Sequence, residues 1–155
     1  DLQPERFAAS DVMHVVVWGA VLVVSNLAGM AEAISRSRWA HGGMAQAMLG
    51  SAVRGHAPFG VVSAIIAIGI CRFAPEAAWI VPGIWLLLIA LVAITSGGLL
   101  PRRTAWAGLW YGVCGTLAIV LAGRQGSFSG WMMGAPLALG HLLIAWILRE
   151  EETRA

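Results

Sequence analysis

Residues 77–95 read AAWIVPGIWLLLIALVAIT and contain no ionisable side chain. A helix needs about 20 mostly apolar residues to cross the roughly 30 Å of hydrocarbon in a lipid bilayer. The hydrocarbon offers the backbone no hydrogen-bonding partner, so a segment that crosses it must satisfy its own peptide groups as a helix. This stretch therefore predicts a transmembrane helix.

Four further apolar stretches have the same character, and ionisable residues are almost confined to the gaps between them. They cover residues 12–34, 58–73, 104–122 and 130–148. The stretch at residues 58–73 is short, and residues from His56 onward would complete it. We therefore predict that residues 1–155 form one all-α domain, a bundle of five transmembrane helices embedded in the lipid bilayer.

The composition of the whole chain supports the membrane prediction. Hydrophobic residues make up 59% of the 155 residues and charged residues only 12%, and the mean hydropathy is +0.77. Soluble domains are usually about 45–50% apolar and about 25% charged. The net charge of +2 is too small to indicate a nucleic-acid partner, and we expect none.

The placement of arginine predicts the orientation of the bundle, because positively charged residues are enriched on the cytoplasmic side. All ten basic residues are arginine. Five crossings place seven of them on the side of the C-terminus (Arg36, Arg38, Arg54, Arg102, Arg103, Arg149 and Arg154) and three on the other side (Arg6, Arg72 and Arg124). We predict a multi-pass protein of a bacterial-type inner membrane, with the N-terminus outside and the C-terminus in the cytoplasm. Residues 1–5 are polar and acidic, and the first apolar run is too long for a signal sequence, so we expect no cleavable signal peptide.

The longest predicted connection, residues 35–55, joins the first two apolar stretches. Its apolar residues Trp39, Met44 and Met48 lie among Arg and Gly residues, a pattern that indicates a short amphipathic helix at the cytoplasmic interface. The alternative is a loop that binds a substrate or a partner, since connections of this length in compact proteins tend to carry function. This connection is our first candidate for a specific contact.

Small residues in two of the stretches indicate close helix packing. Gly108 and Gly112 form a GxxxG pattern, and Gly115 follows on nearly the same face. The last stretch carries one narrow face of Gly130, Gly134, Ala138, His141 and Ala145. Such residues let two helix backbones approach closely. The sequence leaves open whether each partner helix belongs to this chain or to another subunit.

The first stretch carries a polar face formed by His14, Ser25 and Glu32. At 100° per residue, these three positions fall within about 20° of one another around the helix. A charged side chain near the bilayer centre costs at least about 2.5–3.5 kcal/mol, so intramembrane polar residues are candidates for function. This face would line a cavity or bond to another helix, although His14 and Glu32 also lie close enough to a membrane surface to reach water.

His56 and His141 are candidate ligands for a haem b, and so for its iron. Both are expected towards the cytoplasmic side of the bundle, at depths that differ by about two helical turns. Neutral imidazole is an ordinary axial ligand of haem iron. Gly60, Gly134 and Ala138 would make room for the macrocycle. The alternative is that both histidines are hydrogen-bonded structural residues.

Residues 83–148 resemble the C-terminal half of small polytopic bacterial membrane proteins of uncharacterised role. The resemblance lies in GIWLLL at 83–88, the glycine pair at 97–98 and GHLL at 140–143. It implies the helical membrane architecture and no particular activity.

The segment RGHAP at 54–58, ahead of a glycine-containing helix, is similar to the loop-to-helix segment of styrene oxide isomerase. That family of small membrane enzymes uses a histidine-bound ferric haem as a Lewis acid, so the resemblance implies that His56 is the axial ligand. The family also presents an asparagine and a tyrosine on nearby helices. Here Val62 stands six positions after His56, and the only tyrosine is Tyr111.

The sequence favours a structural or accessory role over an enzymatic one. It contains no glycine-rich phosphate loop, no paired carboxylates within a span, no HExxH motif and no nucleophile elbow. We expect a small subunit that packs through its two small-residue faces, as a homo-oligomer or within a larger membrane complex. The alternative is a haem-b protein for electron transfer or Lewis-acid chemistry, and catalytic residues stay unassigned.

Overall fold

A computed structural model of the chain describes residues 4–39, 43–95, 103, 105–125 and 128–152. These residues form five α-helices and one short 3-10 helix, with no strand in the ranges described. The elements are α1 (Pro4–Trp39), α2 (Gly43–Phe73), the 3-10 helix (Pro75–Ile80), α3 (Val81–Thr95), α4 (Ala105–Gln125) and α5 (Trp131–Glu152). The prediction of an all-α bundle is confirmed.

Three segments are long and apolar enough to cross a membrane: Ser10–Ala28, Pro75–Thr95 and Ala105–Gln125. The apolar helices Ala57–Phe73 and Trp131–Ile147 are shorter than a full span. The chain is therefore a helical bundle with three segments of spanning length among the described residues. Such segments are typical of a membrane protein.

The connection predicted for residues 35–55 is mostly helical. α1 continues to Trp39 and α2 begins at Gly43, so only residues 40–42, which the structure does not describe, lie between the two helices. At 1.5 Å per residue, the 36 residues of α1 extend about 54 Å, well beyond the hydrocarbon thickness. Hydropathy marks where the apolar residues stop, whereas the hydrogen-bonded helix continues into polar sequence. Outside residues 40–42 this connection is therefore helical, as extensions of α1 and α2 and not as a separate short helix.

α3, which contains most of residues 77–95, packs along α4 and also contacts α1, α2 and α5. Its Trp85 is buried between the first two helices. A Cβ atom added to Gly19 of α1 would lie 3.2 Å from the Trp85 ring, and the Trp85 indole Nε1 donates to the Ser63 carbonyl oxygen of α2 at 3.4 Å. α3, the most apolar helix, thus contacts both the α1–α2 pair and the α4–α5 pair.

Glycines bring α3 and α4 into backbone contact. A Cβ atom at Gly115 would lie 3.0 Å from the carbonyl oxygen of Gly83, and one at Gly108 would lie 3.1 Å from that of Ala90. Both distances are shorter than ordinary Cβ contacts. A Cβ atom at Gly112 would lie 3.7 Å from the Ala90 methyl, which is a normal contact. The partner helix that the sequence left open for this face is therefore α3 of the same chain.

α5 lies against α4 and is joined to it by side chains along its length. The Trp110 indole Nε1 donates to the carbonyl oxygen of Pro136 at 3.1 Å. Near the end of the pair, Arg103 Nη1 donates to Glu150 Oε2 at 3.0 Å. Both side chains of this ion pair are substantially exposed, so its contribution to stability is small, roughly 0–1 kcal/mol.

Candidate functional site

His141 lies on the exposed face of α5 and is oriented through its Nδ1 atom. Nδ1 is 2.7 Å from the carbonyl oxygen of Leu137 and 3.2 Å from Tyr111 Oη. A carbonyl oxygen can only accept, so Nδ1 carries the proton and donates it. In the neutral ring Nε2 is then unprotonated and is an acceptor. His141 is therefore a fixed imidazole with one nitrogen available.

Tyr111 is the buried partner of His141. It is 1% exposed, and its ring meets the imidazole edge-on, with the ring centroids 6.4 Å apart. Gly140 of α5 provides the space, because a Cβ atom there would collide with the ring and hydroxyl of Tyr111. We did not predict Tyr111 or Gly140 as site residues. The available signals were a lone tyrosine in an apolar helix and a glycine beside the histidine of the last predicted span.

The small-residue face of α5 is divided into a covered part and an open part. Gly134 is covered by Trp18 of α1, since an added Cβ atom would lie 3.1 Å from the indole ring. Ala138, His141 and Ala145 are exposed. Only the second half of the predicted face is therefore open to lipid, to a ligand or to another chain.

His56 lies within α2, two residues before Pro58, and its side chain is outside the described residues. α2 packs against α1, the 3-10 helix and α3, whereas α5 packs mainly against α4. The main interfaces among the described residues thus do not join the helices that carry His56 and His141. A haem held by both histidines stays a prediction from the sequence, and its geometry is not given by these contacts.

The polar face predicted for α1 has two different environments. His14 directs Nδ1 to the Ser10 carbonyl oxygen at 2.8 Å and packs edge-on against Phe128, with ring centroids 6.2 Å apart. Ser25 is exposed on the helix surface, and the side chain of Glu32 is outside the described residues. His14 therefore faces the connection before α5, while Ser25 is open to the surroundings.

Asp11 is the one buried charged residue among those described, at 3% exposure. Its Oδ1 accepts a hydrogen bond from the Phe128 backbone N–H at 3.1 Å. The contact ties α1 to the connection between α4 and α5. Asp11 immediately precedes the first predicted span, and we did not predict a role for it. Asp11 lies about one turn before His14, and this spacing was the only indication that the two side chains share one face of α1.

No cluster of three or more His, Cys, Asp or Glu side chains that could hold a metal ion occurs in the described part of the chain. Haem iron needs only one or two protein ligands, so this finding does not test the haem prediction. Comparison of the chain with protein-family models, curated proteins and solved structures gives no match. A role for the site can therefore be inferred only from the contacts of its residues within this chain.

Proposed function

We propose that this protein is an accessory or structural subunit of a membrane assembly and that α1 contacts its partner. The observation that carries the proposal is the exposure of α1. Only 11% of Ser10–Ala28 is buried, against 39% of Pro75–Thr95 and 33% of Ala105–Gln125. α1 therefore has the largest free surface of the three segments of spanning length.

The proposed arrangement has five crossings of a bacterial-type inner membrane, with the N-terminus outside. The two shorter apolar segments belong to longer helices, because α2 has 31 residues and α5 has 22. At 1.5 Å per residue, the 22 residues of α5 extend about 33 Å, enough for one crossing. Exposed tryptophans near the ends of helices support this placement, since such residues favour the membrane interface: Trp106, Trp131 and Trp146.

Polar side chains on the exposed surface of α1 favour a protein partner over lipid alone. Asn26 is exposed, and its Nδ2 donates to the Leu22 carbonyl oxygen at 2.8 Å. Its amide oxygen has no donor among the described residues. Asn26 lies within the predicted span of residues 12–34, two residues before the end of the apolar segment Ser10–Ala28. Hydrogen bonds between membrane helices contribute roughly 0.6–2 kcal/mol, which a partner helix would supply here.

The faces first expected to bind a partner are largely occupied within the chain. Gly108 and Gly115 are covered by α3, and Gly134 is covered by Trp18. Another subunit could reach them only by displacing these contacts. The proposal therefore transfers the subunit interface to α1, whose exposed positions include Ser25 and Asn26.

Replacing Asn26 with leucine tests the proposed interface. We expect Asn26→Leu to weaken self-association of the full chain roughly 3- to 30-fold, because one interhelical hydrogen bond is lost. Self-association is measured in liposomes by energy transfer between fluorescent proteins fused to the C-terminus, at a series of protein-to-lipid ratios.

Thr116→Val is the matched control for this experiment. Thr116 is also an exposed polar residue of an apolar helix, and its hydroxyl donates to the Gly112 carbonyl oxygen at 2.9 Å, as Asn26 donates to its own helix. This control should leave association unchanged. If Asn26→Leu and Thr116→Val associate as the wild type does, a homo-oligomer held through a hydrogen bond of Asn26 is ruled out.

A further inference from the structure

α1 contacts α5 and the residues just before it at two successive points. Asp11 accepts a hydrogen bond from the Phe128 backbone N–H at 3.1 Å, and further along α1, Trp18 covers Gly134 of α5. Moving along α1 from the first contact to the second also means moving forward along the chain from Phe128 to Gly134. The two helices therefore run in the same direction where they meet.

Parallel helices that meet at one pair of residues keep the same register over the following turns. Positions four and seven residues further along a helix return to nearly the same face. The next two pairs beyond Trp18 and Gly134 are Leu22 with Ala138, four residues on, and Ser25 with His141, seven residues on. Each pair is level across the two helices and continues the face of the observed contact.

The side chains of these two pairs are complementary. Leu22 is a large side chain opposite an alanine, as Trp18 is opposite a glycine. The Ser25 hydroxyl is a hydrogen-bond donor, and Nε2 of His141 is an acceptor, because Nδ1 carries the proton. Neither the Ser25 hydroxyl nor Nε2 has a hydrogen-bond partner among the described residues.

This continuation of the interface is open in the structure. Ser25 and His141 are both exposed, as is most of α1 from Ala20 to Ala28. On the α5 side, the contact of His141 with Tyr111 anchors the helix to α4. The exposed part of α1 has the weaker attachment, so it is the element that moves if the two helices approach.

We propose that α1 closes onto α5 by pivoting at Trp18, so that Ser25 donates a hydrogen bond to His141 Nε2. The structure is the open form, and the closed form extends an interface that already exists within the chain. The inference goes beyond the proposed subunit role and does not depend on it. The face of α1 that carries Ala20 and Leu27 points away from α5, so a partner can contact it in both forms.

A disulfide between positions 25 and 141 tests the closed pairing. Ser25→Cys and His141→Cys are introduced together into a full chain whose own Cys71 and Cys114 are replaced by alanine, with one chain in each lipid nanodisc. A disulfide forms only when the two Cα atoms come within about 7 Å of each other. We expect mild oxidation to remove both thiols from most chains, measured by labelling with a maleimide reagent.

The pair Leu27→Cys and His141→Cys is the matched control. Leu27 is 56% exposed and lies two residues after Ser25, which places it on the other side of α1. The control pair should keep both thiols under the same oxidation. Equal cross-linking of the two pairs, or none in the pair at 25 and 141, would overturn the proposal.

A distance measurement tests the hydrogen bond with both polar residues in place. Spin labels are attached to Leu27→Cys and Leu142→Cys, two exposed positions, in the same cysteine-free background. Pulsed electron paramagnetic resonance should give two distances. Ser25→Ala and His141→Leu should each lower the ratio of the shorter to the longer population roughly 3- to 30-fold, because the closed form loses one interhelical hydrogen bond.

Thr116→Val is the control for the distance measurement, since it removes an exposed hydroxyl from α4 and should leave both populations unchanged. A single distance, or two populations that neither Ser25→Ala nor His141→Leu alters, would contradict the closure. A Soret band in the purified wild type that disappears in His141→Leu would also contradict it, because haem iron would then occupy Nε2.

Discussion

At the residue scale, Gly140 shows how one missing methyl group positions a polar side chain within an apolar bundle. Without a Cβ atom at this position, the Tyr111 ring fits against the α5 backbone, and its hydroxyl reaches His141. The sequence predicted His141 to be a polar residue of the last transmembrane span. It did not identify the tyrosine, because the two residues are 30 positions apart and only the packing of α4 on α5 joins them.

Gly140→Ala should disturb this arrangement. We expect the free energy of unfolding in mixed micelles to fall by about 1–3 kcal/mol, because the added methyl group overlaps the Tyr111 ring. Gly60→Ala is the control, since nothing lies within 4 Å of a Cβ atom at Gly60. Equal stability of the two variants would show that Tyr111 does not pack against Gly140.

At the scale of elements, α3 packs most extensively against α4. The GxxxG pattern lies at this interface, where a Cβ atom at Gly108 would be 3.1 Å from the Ala90 carbonyl oxygen and one at Gly112 would be 3.7 Å from the Ala90 methyl. It could not name the partner, because a pattern of small residues describes one helix surface only. The lengths of α1 and α2 were predicted least well, since polar residues end an apolar stretch without ending a helix.

Gly115→Ala tests the pairing of α3 with α4. An added Cβ atom would lie 3.0 Å from the Gly83 carbonyl oxygen and 3.1 Å from the Leu86 Cβ atom. Backbone cannot yield as a flexible side chain does, so we expect a loss of about 1–3 kcal/mol of unfolding free energy.

Gly69→Ala is the matched control for the α3–α4 contact. Gly69 also lies inside an apolar helix, but nothing is within 4 Å of its Cβ position. Its substitution should cost nothing, or stabilise α2 by up to about 1 kcal/mol through helix propensity. If Gly115→Ala is as stable as Gly69→Ala, the two helices are not in backbone contact at this point.

At the scale of the whole molecule, the helices are unequally packed. α3 contacts each of the other four α-helices, whereas α1 is exposed at every position from Ala20 to Ala28 except Leu22. Hydropathy predicted that the helices would be apolar but could not distinguish surface in contact with lipid from surface in contact with protein, since both environments select the same side chains. Asn26 is the exception, because lipid alone does not satisfy an amide.

Photo-cross-linking in native membranes tests the central claim most directly. A photoreactive residue replaces either Val24 of α1, which is 64% exposed, or Val120 of α4, which is 46% exposed. The proposed role predicts that position 24 cross-links to a protein, either a second copy of this chain or another membrane subunit, and that position 120 yields only lipid adducts. If position 24 also yields only lipid adducts in native membranes, α1 is not a subunit interface and the proposed function is wrong.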